Sequence, residues 1–140
     1  MVEKAYRIIL EAFAEKSDKA GEPYIFHLQR VAKPFAEDEY LFTIALLHDL
    51  LEDCAEWDYG RLVEEFPIGI CNAVRDLTKK EGELYEQYLH RVAANDFARR
   101  VKLSDLKDNM NLTRLRRKLT EKDLARVAKY HDAYLLLSHF

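Results

Sequence analysis

The sequence predicts an all-α protein, and three observations carry that prediction. Only four glycines and three prolines interrupt its 140 residues. Apolar residues recur at helical offsets through most of the chain, and no segment sustains the period-two alternation of a half-buried strand. The breaks between periodic stretches are short and polar or carry proline. A chain of this length is expected to form one domain, 1–140, around a single core.

Taken in order, residues 2–15 place Ala5, Ile8, Ile9, Ala12 and Phe13 on one helical face. Residues 17–21 form a polar break, after which Pro23 suits the first turn of a second helix reaching about residue 32, with His27 on it and Pro34 as its stop. Residues from about 37 to 53 read as one buried central helix, because Leu41-Phe42-Thr43-Ile44-Ala45-Leu46-Leu47 leaves no polar stripe. Asp58 is placed to cap a short helix through residue 65, and a further one follows Pro67 to about residue 78. Lys79-Lys80-Glu81-Gly82 is a loop candidate. Helices over about 83–93, 96–112 and 120–137 complete the set, the last with Thr120 and Asp123 in capping-box spacing.

Hydrophobic residues make up 49% and charged residues 34%, a globular balance, and the net charge of −3 with mixed signs argues against nucleic acid as a partner. No apolar run approaches the roughly 18–20 residues needed to span a bilayer, so no membrane role is expected. The first residues lack the apolar segment of a signal peptide. Cys54 and Cys71 have no metal-type spacing and read as reduced, buried thiols of a cytoplasmic protein.

The chemistry concentrates at the end of the apolar run. His48-Asp49 closes it and Glu52-Asp53 follows, which predicts four ionisable side chains where water is scarce. Burying acids without partners costs several kcal/mol, and a bound divalent ion would remove that cost. His27 and Asp105 are the further ligand candidates. On a continuous helix His48 and Glu52 share one ridge and Asp49 and Asp53 the adjacent one, so an ion over the groove could touch His48 and Asp49 while Glu52 and Asp53 handle water. Asp105 and Asn109 repeat the four-residue offset. Two imidazoles and two carboxylates suit Mn²⁺, Fe²⁺ or another octahedral first-row ion, with about two positions left open. Such an ion acidifies water and polarises a phosphoryl oxygen, and a nearby carboxylate can take the proton. The implied reaction is hydrolysis of a phosphate ester or anhydride.

With those residues in view, the chain resembles the HD superfamily of phosphohydrolases, whose pattern of a first His, a later His-Asp and a distant Asp is matched by His27, His48-Asp49 and Asp105. More narrowly it resembles the hydrolase domain of RelA/SpoT-type enzymes and the small alarmone hydrolases. The matching stretches are Gly21-Glu22-Pro23-Tyr24-Ile25-Phe26-His27, Ala45-Leu46-Leu47-His48-Asp49-Leu50-Leu51-Glu52-Asp53 and Val101-Lys102-Leu103-Ser104-Asp105-Leu106-Lys107-Asp108-Asn109. The resemblance implies a helical HD-type fold, an Mn²⁺-type ion on His27, His48, Asp49 and Asp105, and Glu52 and Asp53 as the acids that handle the attacking water. It implies a small nucleotide substrate, ppGpp or pppGpp, losing pyrophosphate from its 3′ position, with Asn109 beside the nucleotide. No synthetase domain fits in these residues, so the expected activity is degradative. Two positions depart from the pattern: Asp18 stands where a basic residue generally precedes the first motif, leaving Lys19 as the basic neighbour, and Leu28 replaces a proline after His27.

Lys19 and Lys102 are candidate phosphate contacts, Lys102 because it lies three residues before Asp105. Lys79, Lys80, Arg99 and Arg100 read as a solvated face, and Arg114, Arg116, Arg117 and Lys118 as cations complementing a helix C-terminus. Tyr85 and Tyr88 read as core. Tyr130, Tyr134, Leu135 and Leu136 read as packing or as part of a contact between two copies. A second His-Asp pair, His131-Asp132, has no acid cluster beside it and reads as surface. Two alternatives stay open: an HD-type nucleotidase or phosphodiesterase acting on another nucleotide, and a nucleotide-binding module without turnover.

Overall fold

A computed structural model describes residues 1–140. It is all-helical, as expected: α1 (Val2–Ala12), α2 (Ile25–Ala32), α3 (Glu39–Leu47), α4 (Leu50–Asp53), α5 (Tyr59–Val63), α6 (Ile68–Asp76), α7 (Tyr85–Ala93), α8 (Asp96–Asn109) and α9 (Glu121–Ser138), with 3-10 turns at Lys33–Phe35 and Leu112–Arg114. No helix is long and apolar enough to cross a membrane.

α3 is the centre. Leu41, Thr43, Ile44, Ala45, Leu46 and Leu47 are all fully buried, which is what a run with no polar stripe requires. Asp38 starts the helix by accepting the Leu41 N–H at 3.0 Å. Thr43, its one buried polar side chain, donates back to the Glu39 carbonyl at 2.7 Å and so carries no unsatisfied hydroxyl. Helices α1, α2, α6 and α8 pack around α3, and α7 and α9 cover α8 from outside. The buried apolar residues form one contiguous core, within which Cys54 and Cys71 are free thiols.

The central helix is not continuous to Asp53. It stops at Leu47, and His48-Asp49 forms a turn before α4. The interruption has a local cause. The Ala45 carbonyl, which an unbroken helix would offer to the Asp49 N–H, accepts the His48 ring Nδ1–H at 2.6 Å. Glu52 and Asp53 therefore do not extend the ridges of α3.

The polar break before α2 is a tight hairpin-like turn. Ser17 and Pro23 form an isolated antiparallel bridge, so Pro23 lies outside the helix that it was expected to start. The Asp18 N–H donates to the Glu22 carbonyl at 2.8 Å, and Gly21 supplies the left-handed residue, at φ +83°. Both Ala20 and Glu22 donate backbone N–H groups to Asp18 Oδ1 at 2.9 Å, so the acid at this position shapes the loop. α8 ends at Asn109 rather than at 112, so Arg114 to Lys118 lie beyond the helix, and Arg114 reaches back to its last turn, donating to the Asp108 carbonyl. The capping box at Thr120 is present, and Asp123 also receives Arg117 at 2.6 Å and Arg126 at 2.7 Å.

Candidate metal centre

α2, the turn after α3, and α8 each deliver part of one cluster. His27 comes from α2, His48 and Asp49 from the turn, and Asp105 from α8. One ligand atom from each of these four residues lies within 4.8 Å of the others. His27, His48 and Asp105 are buried, and the Asp49 side chain is 14% exposed.

The hydrogen bonds around the cluster decide where its lone pairs point. His48 Nδ1–H is spent on the Ala45 carbonyl. His27 Nδ1 lies 2.7 Å from Asp108 Oδ2, and an ionised carboxylate only accepts, so the proton sits on Nδ1. Both Nε2 atoms therefore face inward. His48 Nε2 is 3.1 Å from Asp49 Oδ2 and 3.2 Å from Asp105 Oδ1. His27 Nε2 is 3.0 Å from Asp105 Oδ1 and 3.7 Å from Asp49 Oδ2, yet is aligned with neither as a hydrogen bond and stands as an orphaned buried atom. Two imidazole nitrogens and two carboxylates aimed at a common point repel one another unless a positive charge sits among them: protons on the imidazoles, or a metal ion. The mixed nitrogen and oxygen donors fit a divalent metal.

Without metal, protons do that work. Burial disfavours the charged His27 imidazole, but Asp105 and Asp108 outweigh it and raise its pKa to about 9. For His48 burial is likewise overcome, by Asp49 and Asp105, and its pKa rises well above the ordinary value. Burial would raise the pKa of Asp105, but Lys102 and then His48 hold it well below the carboxylate range.

Further groups tie the cluster down. Tyr24 donates its hydroxyl to Asp49 Oδ2 at 2.6 Å. Asn109 donates to Asp105 Oδ1 at 3.1 Å and Lys102 to Asp105 Oδ2 at 2.9 Å. Lys102, a candidate phosphate contact, thus has its ammonium on Asp105 and 5.4 Å from the Tyr88 ring centroid, and it is not among the residues that line the cavity beside His27. Tyr88 is core, as expected, with its hydroxyl donating to the Leu77 carbonyl.

Glu52 and Asp53 are exposed, which corrects the expectation that all four ionisable side chains, His48, Asp49, Glu52 and Asp53, sit where water is scarce. α4 carries them outward from the turn. Partial shelter, and then the negative charge of Asp49, still raise both carboxyl pKa values above the ordinary range.

A cavity of about 440 Å³ opens beside His27, with Lys19, Arg30, Asn109, Arg126 and Tyr130 among its walls. Lys19 and Asn109, the candidate substrate contacts, are both in its wall. Asp18 also lines it, but with Oδ1 occupied by its own loop and Oδ2 3.9 Å from Arg30. Sequence reasoning missed Tyr24 and Asp108. Tyr24 precedes His27 by three residues inside the first motif, one turn away, and Asp108 follows Asp105 by the same step.

No family model matches the chain. Over 120 residues it is 28% identical to the guanosine-3′,5′-bis(diphosphate) 3′-pyrophosphohydrolase of Vibrio cholerae serotype O1, a match taking in 76% of this chain and 17% of that protein. The chain resembles part of that pyrophosphohydrolase. It spans only about a sixth of that much longer relative. A solved structure of a metazoan ortholog of SpoT, described as hydrolysing ppGpp, superimposes with a TM-score of 0.78 over 97% of this chain and 84% of that one, at 19% identity. The all-helical fold is therefore shared with that protein.

Proposed function

We propose that this chain is a metal-dependent phosphohydrolase that releases pyrophosphate from the 3′ position of ppGpp or pppGpp. The observation that carries the reading is the convergence of His27, His48, Asp49 and Asp105 within 4.8 Å, with both imidazole Nε2 atoms turned inward. The similarity to a bis(diphosphate) 3′-pyrophosphohydrolase supports the substrate.

His27, His48, Asp49 and Asp105 would hold a divalent ion, of Mn²⁺ type by its mixed imidazole and carboxylate donors. When bound, the ion supplies Lewis acidity, polarising a phosphoryl oxygen and making water more acidic. Every other role falls to the chain. Tyr24 and Asn109 fix the carboxylates of Asp49 and Asp105 by hydrogen bonds. Lys102 neutralises Asp105 from behind. Glu52 and Asp53, on the solvent side with raised pKa values, are suited to take a proton from the attacking water at a carboxylate oxygen and to pass it on. The cavity beside His27 offers Lys19 to substrate phosphate and Asn109 to the nucleoside side. Two imidazoles and two carboxylates grip an ion whether or not turnover follows, so the acids of α4 are what distinguish an enzyme from a binding module.

The test is a nucleotide panel assayed with Mn²⁺ for pyrophosphate and orthophosphate separately. The expected result is pyrophosphate from ppGpp and pppGpp. Protein that leaves both intact while cleaving another nucleotide overturns the substrate, and protein that binds ppGpp without product overturns the enzyme.

A further inference from the structure

Two helices carry the same three-residue step: His27 and Arg30 on α2, and Asp105 and Asp108 on α8. Each step puts both side chains on one face, and the two faces meet. His27 reaches Asp105 at 3.0 Å, and Arg30 Nε donates to Asp108 Oδ1 at 2.7 Å. Asp108 divides its two oxygens. Oδ1 takes the guanidinium groups, Arg30 and also Arg114 at 3.2 Å, while Oδ2 is left to His27 Nδ1 at 2.7 Å. Arg114 additionally donates to the Asp108 carbonyl at 3.1 Å. The Asp108 side chain is 11% exposed, so water offers His27 little alternative.

A salt bridge joining α2 to α8 would need only Arg30 and Asp108. The second oxygen on an imidazole whose other nitrogen is an orphaned, inward-facing atom is more than such a bridge requires. Histidines that bind metals commonly donate their second ring N–H to a carboxylate, which fixes tautomer and ring orientation.

We propose that Asp108 is a positioning residue of the metal centre: its Oδ2 keeps the proton on His27 Nδ1 and aims Nε2 at the point shared with His48, Asp49 and Asp105. Arg30 and Arg114, both in the cavity wall, hold that carboxylate in register, so the substrate cavity and the metal ligand share one rigid link. The inference rests on the metal reading of the cluster.

The experiment titrates Mn²⁺ alone into metal-stripped wild-type protein and the variants Asp108→Leu and Asp108→Asn, with thermal stability measured on each metal-free form. Both variants leave Arg30 and Arg114 without their anion, but only asparagine keeps an oxygen to accept the Nδ1–H. Asp108→Leu is expected to weaken Mn²⁺ binding by about 10–100-fold, and Asp108→Asn to recover most of that loss. Leucine binding Mn²⁺ as tightly as wild type overturns the proposal, as does equal weakening in both variants. Should the leucine variant fail to fold, the wild type still decides: in Zn²⁺-loaded protein, long-range proton–nitrogen correlation is expected to place the His27 proton on Nδ1, and a proton on Nε2 overturns it. Wild-type protein that binds no metal sinks the metal reading together with this role. Wild-type binding that leucine leaves untouched sinks the Asp108 role alone.

Discussion

The chain contains the dipeptide His-Asp twice, and the two copies share nothing else. His48-Asp49 lies at the turn between α3 and α4, with its imidazole buried against Asp105 from a distant helix. His131-Asp132 lies within α9, with both side chains exposed. Identical residue types become a donor cluster in one place and solvated surface in the other. The difference is the burial forced by α3 and the arrival of α2 and α8 from either side. A motif of this kind is an address only where the fold supplies converging partners.

The sharpest way to break that comparison is to remove the same side chain from each copy. His48→Ala is expected to abolish metal retention and reduce turnover to background. His131→Ala should leave metal content and rate unchanged and stability within about 0.5 kcal/mol, as for an exposed position. Elemental analysis of protein purified without chelator, read beside the nucleotide assay, checks both. A His131→Ala protein that lost its metal would mean that the wrong pair had been chosen.

A smaller effect is expected from the acids beyond the turn. Asp53→Asn should lower kcat by about 10²–10⁴-fold, the range for losing a general base, with bound metal retained. Loss of the metal in step with activity would make Asp53 a ligand instead. The same substitution carries a stability signature of opposite sign. A carboxyl whose folded pKa is raised lowers stability as pH climbs from its unfolded value to its folded one, and the deficit persists above. Asparagine removes that deficit, so metal-free Asp53→Asn should melt at or above wild type near neutral pH.

The inner copy also predicts a pH dependence. His27 has its folded pKa raised to about 9 and His48 is raised as well. Stability gained from a raised histidine is fully present below its unfolded value, near 6.5, and is lost as pH rises through the folded value. Metal-free protein is therefore expected to lose stability from about pH 6.5 to about pH 9. Metal-loaded protein should not, because the inward nitrogens then have a cation in place of the protons. Melting curves across that range with and without Mn²⁺ test the point, and a flat metal-free profile would contradict the convergence of charges described here.

The helical class was legible because apolar residues recur at helical offsets through most of the chain, and the buried centre because α3 has no polar face. The cluster residues were legible because their types are costly to bury without a shared purpose. The break at His48 was not, since no glycine or proline marks it and its cause is a ring N–H bonded to the Ala45 carbonyl. Nor was the hairpin-like turn before α2, where Asp18 accepts two backbone N–H groups of its own loop. The pairing of Lys102 with Asp105 was ambiguous for a related reason: three residues from Asp105 on one helix describes a partner of Asp105 as well as a neighbour of substrate. Asp108 escaped because its histidine lies 81 residues away.

Tyr24→Phe is the gentlest probe of the difference between the two copies. Asp132 needs no support in solvent, whereas Asp49 is steadied by the Tyr24 hydroxyl at 2.6 Å. Removing that oxygen leaves the ring stacked on Phe13, at a centroid separation of 5.3 Å, so packing is preserved and only the hydrogen bond is lost. A bond of this kind to a charged group is worth about 1.5–3 kcal/mol at most, and an Asp49 carboxylate bound to metal would need it less than a free one. The expected result is therefore an Mn²⁺ affinity lowered by about 3–10-fold, in line with roughly 1 kcal/mol, with the rate at saturating metal nearly unchanged. A full loss of turnover at saturating Mn²⁺ would instead put the Tyr24 hydroxyl in contact with the reacting atoms, and the buried copy would then owe its chemistry to more than its two imidazoles and two carboxylates.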